Sequence, residues 1–284
     1  MAARIGIVCD STCDLGTAVL AALGVEMVPL KVTFGDTSYL DWVELGPEQF
    51  FEKLAAAPAL PTTSQPSPAD FAAVYARLAD EGCEEIVSIH LTSALSGTIE
   101  SALMAAANAP VPVRVIDTLT VCMGVALPLL AAVDARNAGA DGATIEAAAR
   151  AVVKTTRILF ALNTLDYLVK GGRAGKAQGL AASLLSIKPV LTTNAEGTIE
   201  PFKKLKGTAK AIQAIADEIA AAGAGGAVRV GILHSMAPQL VEALRSAIDA
   251  TGVDVSYVDT IEVGAVIGTY AGPGAIGAAF HPVS

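Results

Sequence analysis

Two hydroxyl-rich segments have the composition to hold an anion. Pro61-Thr62-Thr63-Ser64-Gln65-Pro66-Ser67-Pro68 falls between helical stretches, and Leu91-Thr92-Ser93-Ala94-Leu95-Ser96-Gly97-Thr98 follows a strand-like run and opens a helical one. Neutral hydroxyls beside free loop amides can hydrogen-bond a carboxylate or a phosphate. In the first segment Ser67, with Pro68 next and Asp70 three positions on, has the pattern of a helix N-cap, which leaves Thr63 and Ser64 free of that duty. In the second, Ser96 and the Gly97 amide sit where a helix N-terminus follows the carboxyl end of a strand, the place where parallel sheets gather ligands. An ordinary Ser N-cap accounts for Ser96 equally well.

Other candidates point to chemistry less well. Asp10-Ser11-Thr12-Cys13-Asp14 also follows a strand and could suggest a nucleophilic carboxylate or a metal site, but helix capping explains it and no third carboxylate lies nearby in sequence. Gly272-Pro273-Gly274-Ala275-Ile276-Gly277 matches the dinucleotide fingerprint letter for letter. That fingerprint needs a strand before it, a helix after it and an acidic residue about 20 positions on, whereas seven residues follow Gly277. His90, His234 and His281 form no compelling Ser-His-Asp order, and a structural role is the expectation for each. No catalytic residue and no metal ligand is assigned. Cys9, Cys13, Cys83 and Cys122 are scattered without a CxxC pair, so buried thiols in a reducing cytoplasm are expected.

The elements that must position these residues alternate. Strand-like runs over 4–9, 25–32, 85–90 and 113–117 are separated by amphipathic helical runs near 15–23, 47–56, 68–81 and 96–108, and two longer helices follow near 119–137 and 144–154. Short apolar strands separated by helices predict a mostly parallel sheet with helices on both faces. From residue 157 the pattern changes to a strand at 157–162, a helical stretch at 174–186 and a hairpin of 189–193 with 198–205 around the turn 194–197. A helix at 208–222, a strand at 228–234, a helix at 238–251 and a strand at 254–258 complete a second unit with antiparallel pairing. The expectation is an α/β protein of two domains, residues 1–155 and 156–284.

Composition narrows the partners. Of 284 residues, 53% are apolar and only 17% charged, so the interior is large, and with 5% aromatic residues it must be filled mainly by Ala, Val, Leu and Ile. A net charge of -9 would repel phosphate backbones and anionic headgroups, which argues against nucleic acid. The mean hydropathy of +0.54 raises the question of a membrane span. The uncharged stretch 263–284 is rich in Gly and Pro, which disfavour a helix, and 118–133 is too short, so an integral membrane protein is not expected.

Taken together, Asp10-Ser11 with Asp14-Leu15, Thr63-Ser64-Gln65-Pro66-Ser67, Leu95-Ser96-Gly97-Thr98 and Lys170-Gly171-Gly172-Arg173 form an ordered set. With Ile187-Lys188-Pro189, and Gly268-Thr269 followed by Gly272-Pro273-Gly274, the chain resembles the DegV family of bacterial fatty-acid-binding proteins over essentially its whole length. The resemblance implies a long-chain fatty acid buried in the C-terminal half, its carboxylate at the domain interface, with no other cofactor and no chemistry by the protein itself. Thr63 and Ser96 would bind the carboxylate, assisted by the Gly97 amide and Ser64. Some members present the fatty acid to a separate ATP-dependent fatty acid kinase subunit, which makes an acyl phosphate for phospholipid synthesis. Arg173 and Lys206 are the candidates for such coupling.

Two departures qualify the match. Tyr270 stands where the family commonly has His; it can donate a hydrogen bond to the carboxylate but cannot act as the His would near neutral pH. Lys206 stands where kinase-coupled members tend to have Arg, keeping the charge and losing the planar fork. Burial itself is physically reasonable, since about 14 methylenes at ~0.8 kcal/mol each give roughly 11 kcal/mol favouring an apolar enclosure. Leu180, Leu184, Leu185 and Ile187 are candidates for its lining, although core packing would also account for them. The alternative is an enzyme acting on a small phosphorylated metabolite at the Asp10 loop and the Ser96 helix start. A pure interaction scaffold, the third reading, predicts no enclosed apolar cavity.

Overall fold

A computed structural model describes residues 4–183 and 188–283. The first elements in chain order are β1 (Ile5–Asp10), α1 (Gly16–Ala22), β2 (Glu26–Val28), β3 (Lys31–Phe34), β4 (Thr37–Leu40), α2 (Pro47–Ala56) and β5 (Thr62–Ser64). Then come α3 (Pro68–Asp80), β6 (Glu85–His90), α4 (Thr98–Ala106), β7 (Val113–Asp117), α5 (Met123–Asn137) and α6 (Gly142–Thr155). Strands β1, β2, β6 and β7 form a parallel sheet in the order β2-β1-β6-β7. Its central strands read as continuous apolar runs because both faces are covered: α3 and α4 pack Phe71, Tyr75 and Ala102 on one side, and α5 and α6 cover the other.

The second sheet is mixed. It is built from β8 (Arg157–Ala161), β9 (Lys188–Thr193), β10 (Ile199–Leu205), β11 (Val228–His234), β12 (Val255–Glu262) and β13 (Ile276–Pro282), in the order β10-β9-β8-β13-β11-β12. Only β11 and β12 run parallel. The helices of this half are α7 (Asp166–Lys170), α8 (Thr208–Ala222), α9 (Pro238–Asp249) and α10 (Ala265–Ala271), with a 3-10 stretch at Gly175–Ser183. Helices α8 and α9 cover one face through Ile215, Ile219 and Leu244. The other face shares a single apolar core with α5 and the first sheet, in which Met123, Ile158 and Leu233 are all buried. That shared core is where a ligand can be enclosed between the sheets.

Several expected elements shift, each for a physical reason. The run expected as one strand over 25–32 is two, split at Pro29, which lacks the N-H a ladder needs. Its second part, β3, enters a separate three-stranded antiparallel sheet of order β4-β3-β5. The hydroxyl-rich segment is therefore not all loop: Thr63 pairs with Val32 on an edge strand. The capping box at α3 forms as expected, Ser67 Oγ accepting from the Asp70 N-H and the Asp70 carboxylate accepting from the Ser67 N-H. The helix expected from 119 begins only at Met123, because Leu119 and Cys122 both have left-handed φ values, 57° and 55°. The helix expected from 96 begins at Thr98. The glycine-rich stretch after 263, to which no element was assigned, forms α10 and β13, the latter lying inside the second sheet. Among the described residues no helix is long and apolar enough to cross a membrane.

Candidate functional site

Between the sheets lies a cavity of about 310 Å³, within the ~300 to 1,000 Å³ usual for small-molecule sites. Much of its wall is apolar, with Leu30, Leu91 and Val121 from the first half and Ile158, Phe160 and Leu233 from the second. The polar side chains among its described lining are Thr63, Ser64, Gln65, Ser96, Arg173 and Tyr270. Thr63, Tyr270 and Arg173 among them are in mutual contact. Thr63 Oγ1 and the Tyr270 hydroxyl are 2.5 Å apart, and the Arg173 guanidinium lies 5.3 Å from the Tyr270 ring centroid. Arg173 Nε also donates to the Leu95 carbonyl at 3.3 Å, and Gln65 Oε1 accepts the Gly97 N-H at 3.1 Å. Ser96 Oγ lies 2.9 Å from Thr98 Oγ1.

Local sequence explains why these groups meet. Thr63 is fixed by the β5 to β3 pairing, and Ser96 by the turn that carries β6 into α4. Arg173 follows α7 across Gly171 and Gly172, and a Cβ on Gly171 would strike the Tyr270 ring, so the glycine permits the stack. Tyr270 is carried by α10, whose start is held by two buried carboxylates. Asp14 Oδ1 accepts from the Gly264 N-H at 2.9 Å and from Trp42 Nε1 at 3.1 Å, while Asp41 Oδ1 accepts from the Ala265 N-H at 2.9 Å. Burial pushes the Asp14 carboxyl up to about 7, against the opposing effects of the Cys122 thiol, the Gly264 amide and Trp42. Burial, and then the charge of Asp14, push Asp41 up to about 8. Burial, and then the Asp14 charge, also hold the Cys122 thiol well above its usual range.

The structure places Thr63, Ser64, Ser96 and Tyr270 in the lining of one cavity. The Gly97 amide, expected to assist directly, instead donates to the Gln65 carboxamide. Arg173, read as a coupling residue, is the only charged side chain among the described lining residues. Lys206 is exposed in the turn after β10 and does not line the cavity. The enclosure is not confined to the C-terminal half, because the shared core draws wall residues from both sheets. Leu180 is buried but outside the described lining, and Leu184, Leu185 and Ile187 lie outside the described residues. Sequence reasoning missed Gln65, whose only signal was its place between Ser64 and Pro66. It also missed the Asp14 and Asp41 clasp, which joins residues more than two hundred positions apart.

The remaining candidates resolve as structural. Asp10 Oδ1 accepts from the Thr12 N-H at 2.9 Å, and Oδ2 accepts from the Leu91 N-H at 3.0 Å, so the carboxylate orders its loop as expected. Asp10 Oδ2 also lies 3.0 Å from His90 Nδ1, His90 Nε2 lies 2.7 Å from Ser88 Oγ, and Ser88 Oγ lies 2.9 Å from the Tyr75 hydroxyl. These distances resemble a nucleophilic triad, yet Asp10, Ser88, His90 and Tyr75 are all sealed at 0% exposure. Ser88 is already bonded on both sides and cannot reach a substrate. The glycine-rich Gly272–Gly277 run follows a helix and leads into a strand, the reverse of a nucleotide fingerprint. Among the described residues no group of three or more His, Cys, Asp or Glu is placed to hold a metal ion.

Comparison with known proteins adds an independent line. The family model described as "Uncharacterised protein, DegV family" matches residues 4–283. A DegV domain-containing protein of Streptomyces coelicolor is 39% identical over 278 residues, covering 98% of each chain. A protein named fatty acid-binding protein in Thermotoga maritima is 33% identical over 288 residues, covering 96% of each chain. Among solved structures, a fatty-acid-binding DegV family protein from Thermus thermophilus superimposes with a TM-score of 0.92 at 37% identity, covering 99% of this chain and 100% of that one. The likeness therefore spans both sheets.

Proposed function

Because the chain belongs to the DegV family, we propose that it binds a long-chain fatty acid, with the acyl chain in the apolar cavity and the carboxylate at its polar end. The observation that carries this reading is a largely apolar cavity whose described lining also holds four hydroxyls and a single cation, with Thr63, Tyr270 and Arg173 in mutual contact. Thr63, Ser64, Ser96 and Tyr270 supply hydroxyl donors, and Arg173 supplies the positive charge that makes burial of a carboxylate tolerable. The fatty-acid binding of the Thermotoga and Thermus relatives supports the same ligand here. On this reading the protein changes nothing in its ligand. Conversion to an acyl phosphate falls to a separate ATP-dependent kinase subunit, for which the exposed Lys206 is a candidate docking charge.

Competition against a fluorescent long-chain fatty acid tests the assignment. Saturated acids should compete more strongly with length, each added methylene gaining about 0.8 kcal/mol, or roughly fourfold in affinity, until the cavity is filled. Sugar phosphates and nucleotides should not compete, and the protein alone should not hydrolyse ATP. A flat chain-length series, or displacement by a phosphorylated metabolite, would favour the enzyme reading instead.

A further inference from the structure

Among the described residues that line the cavity, Ser64 and Gln65 are the most exposed, and the half-buried Thr63, Leu95, Ser96, Arg173 and Tyr270 adjoin them. The mouth therefore lies at the end of β5. That strand is three residues long and sits at the edge of its sheet, paired on one side only, with β3. Across the mouth stands the turn that enters α4. One hydrogen bond from Gln65 joins the two rims, its Oε1 accepting the Gly97 N-H at 3.1 Å. Gly97 is shaped for this contact: a Cβ there would lie 2.5 Å from both Oε1 and Nε2 of Gln65, so the carboxamide lies flat against the bare Cα. The backbone of Gly97, at φ -76° and ψ 16°, needs no glycine for its own sake. The absence of a side chain at position 97 thus serves the seat of Gln65.

We infer that Gln65 is the latch of the cavity mouth, and that its bridge to Gly97 sets how fast the ligand enters and leaves without holding the ligand itself. This rests on the fatty-acid reading above. A bond between an exposed neutral side chain and a backbone amide is individually weak, so it opens often enough to gate exchange.

Two substitutions break the bridge from opposite sides. Gln65→Ala removes the latch, and Gly97→Ala evicts it while leaving every other lining side chain in place. Stopped-flow mixing of each variant with a fluorescent 16-carbon fatty acid, followed by displacement with unlabelled acid, reads both rates. Each variant should raise association and dissociation rates together, by roughly fivefold for the loss of one such bond, with the dissociation constant changed by less than about twofold. The double variant should be no faster than either single one, because both delete the same contact. Unchanged rates, additive effects, a rise in dissociation alone or a slower release would each overturn the latch. If the wild-type protein fails to take up the probe, the fatty-acid reading falls and the latch with it. If the wild type binds but the variants exchange at its rates, only the latch falls.

Discussion

Replacing Thr63 by Val and Ser96 by Ala together should weaken binding of a long-chain fatty acid by about 3 to 6 kcal/mol, since each hydrogen bond to a charged group is worth roughly 1.5 to 3. The loss should stay below the roughly 11 kcal/mol of acyl-chain transfer, so the ligand weakens and does not vanish. The geometry sharpens the expectation for Thr63, because its hydroxyl is 2.5 Å from that of Tyr270. One of the pair donates to the other, leaving a single proton free for the ligand, so Thr63→Val also releases Tyr270 from its fixed orientation. A fatty alcohol of equal length carries no charge, and its affinity should fall by less than that of the acid. Titration of both ligands into wild type and double mutant checks this. Equal losses would mean that these hydroxyls do not face the carboxylate.

Raising the pH from 5 to 8 should lower the stability of the protein through Asp14 and Asp41. Both are buried, with carboxyls held at about 7 and about 8 in the fold against an ordinary value of 3.8. Between about pH 5 and 6 the folded chain retains two protons that the unfolded chain has released. Stability from each group is therefore fully present below its unfolded value and is lost as pH rises through its folded one, at up to about 1.4 kcal/mol per pH unit per group. The groups facing Asp41 are Asp14, the Ser11 hydroxyl and the Ala265 and Val266 amides, and Asp14 in turn faces Cys122, Trp42, Gly264 and Asp10. Asp41→Asn keeps an acceptor for the Ala265 N-H and removes the titration. Carboxylates whose values are lowered by partners, such as Asp70, Glu146 and Glu218, act only at more acid pH. Urea unfolding at pH 5, 6, 7 and 8 should thus give a steeper decline for wild type than for Asp41→Asn, and parallel curves would refute the assignment.

The fold class was legible because parallel strands buried on both faces leave continuous apolar runs, and the capping box at Ser67 needed only local spacing. Thr63 was legible as a hydroxyl without another duty, whereas Ser96 read equally well as an ordinary N-cap, a post that Gly97 takes in the structure. What escaped was set by distance in sequence or by backbone packing. Arg173 and Tyr270 are 97 positions apart and meet because Gly171 carries no Cβ, a fact that no periodicity reports. Helix α10 and strand β13 are hidden in a glycine-rich tail whose composition reads as a breaker, yet tertiary contacts override propensity there. Strand β5 is too short to show alternation, so the mouth of the cavity looked like loop.

The most direct test of the account is the content of the cavity. Protein purified from a bacterial host, washed free of loosely held lipid, is extracted with organic solvent, and the extract is quantified by mass spectrometry. The account predicts about one long-chain fatty acid per chain, because an apolar enclosure of this size binds the acyl chain strongly enough to carry it through purification. An extract without acyl species near stoichiometry, or a phosphorylated metabolite found in their place, would contradict it.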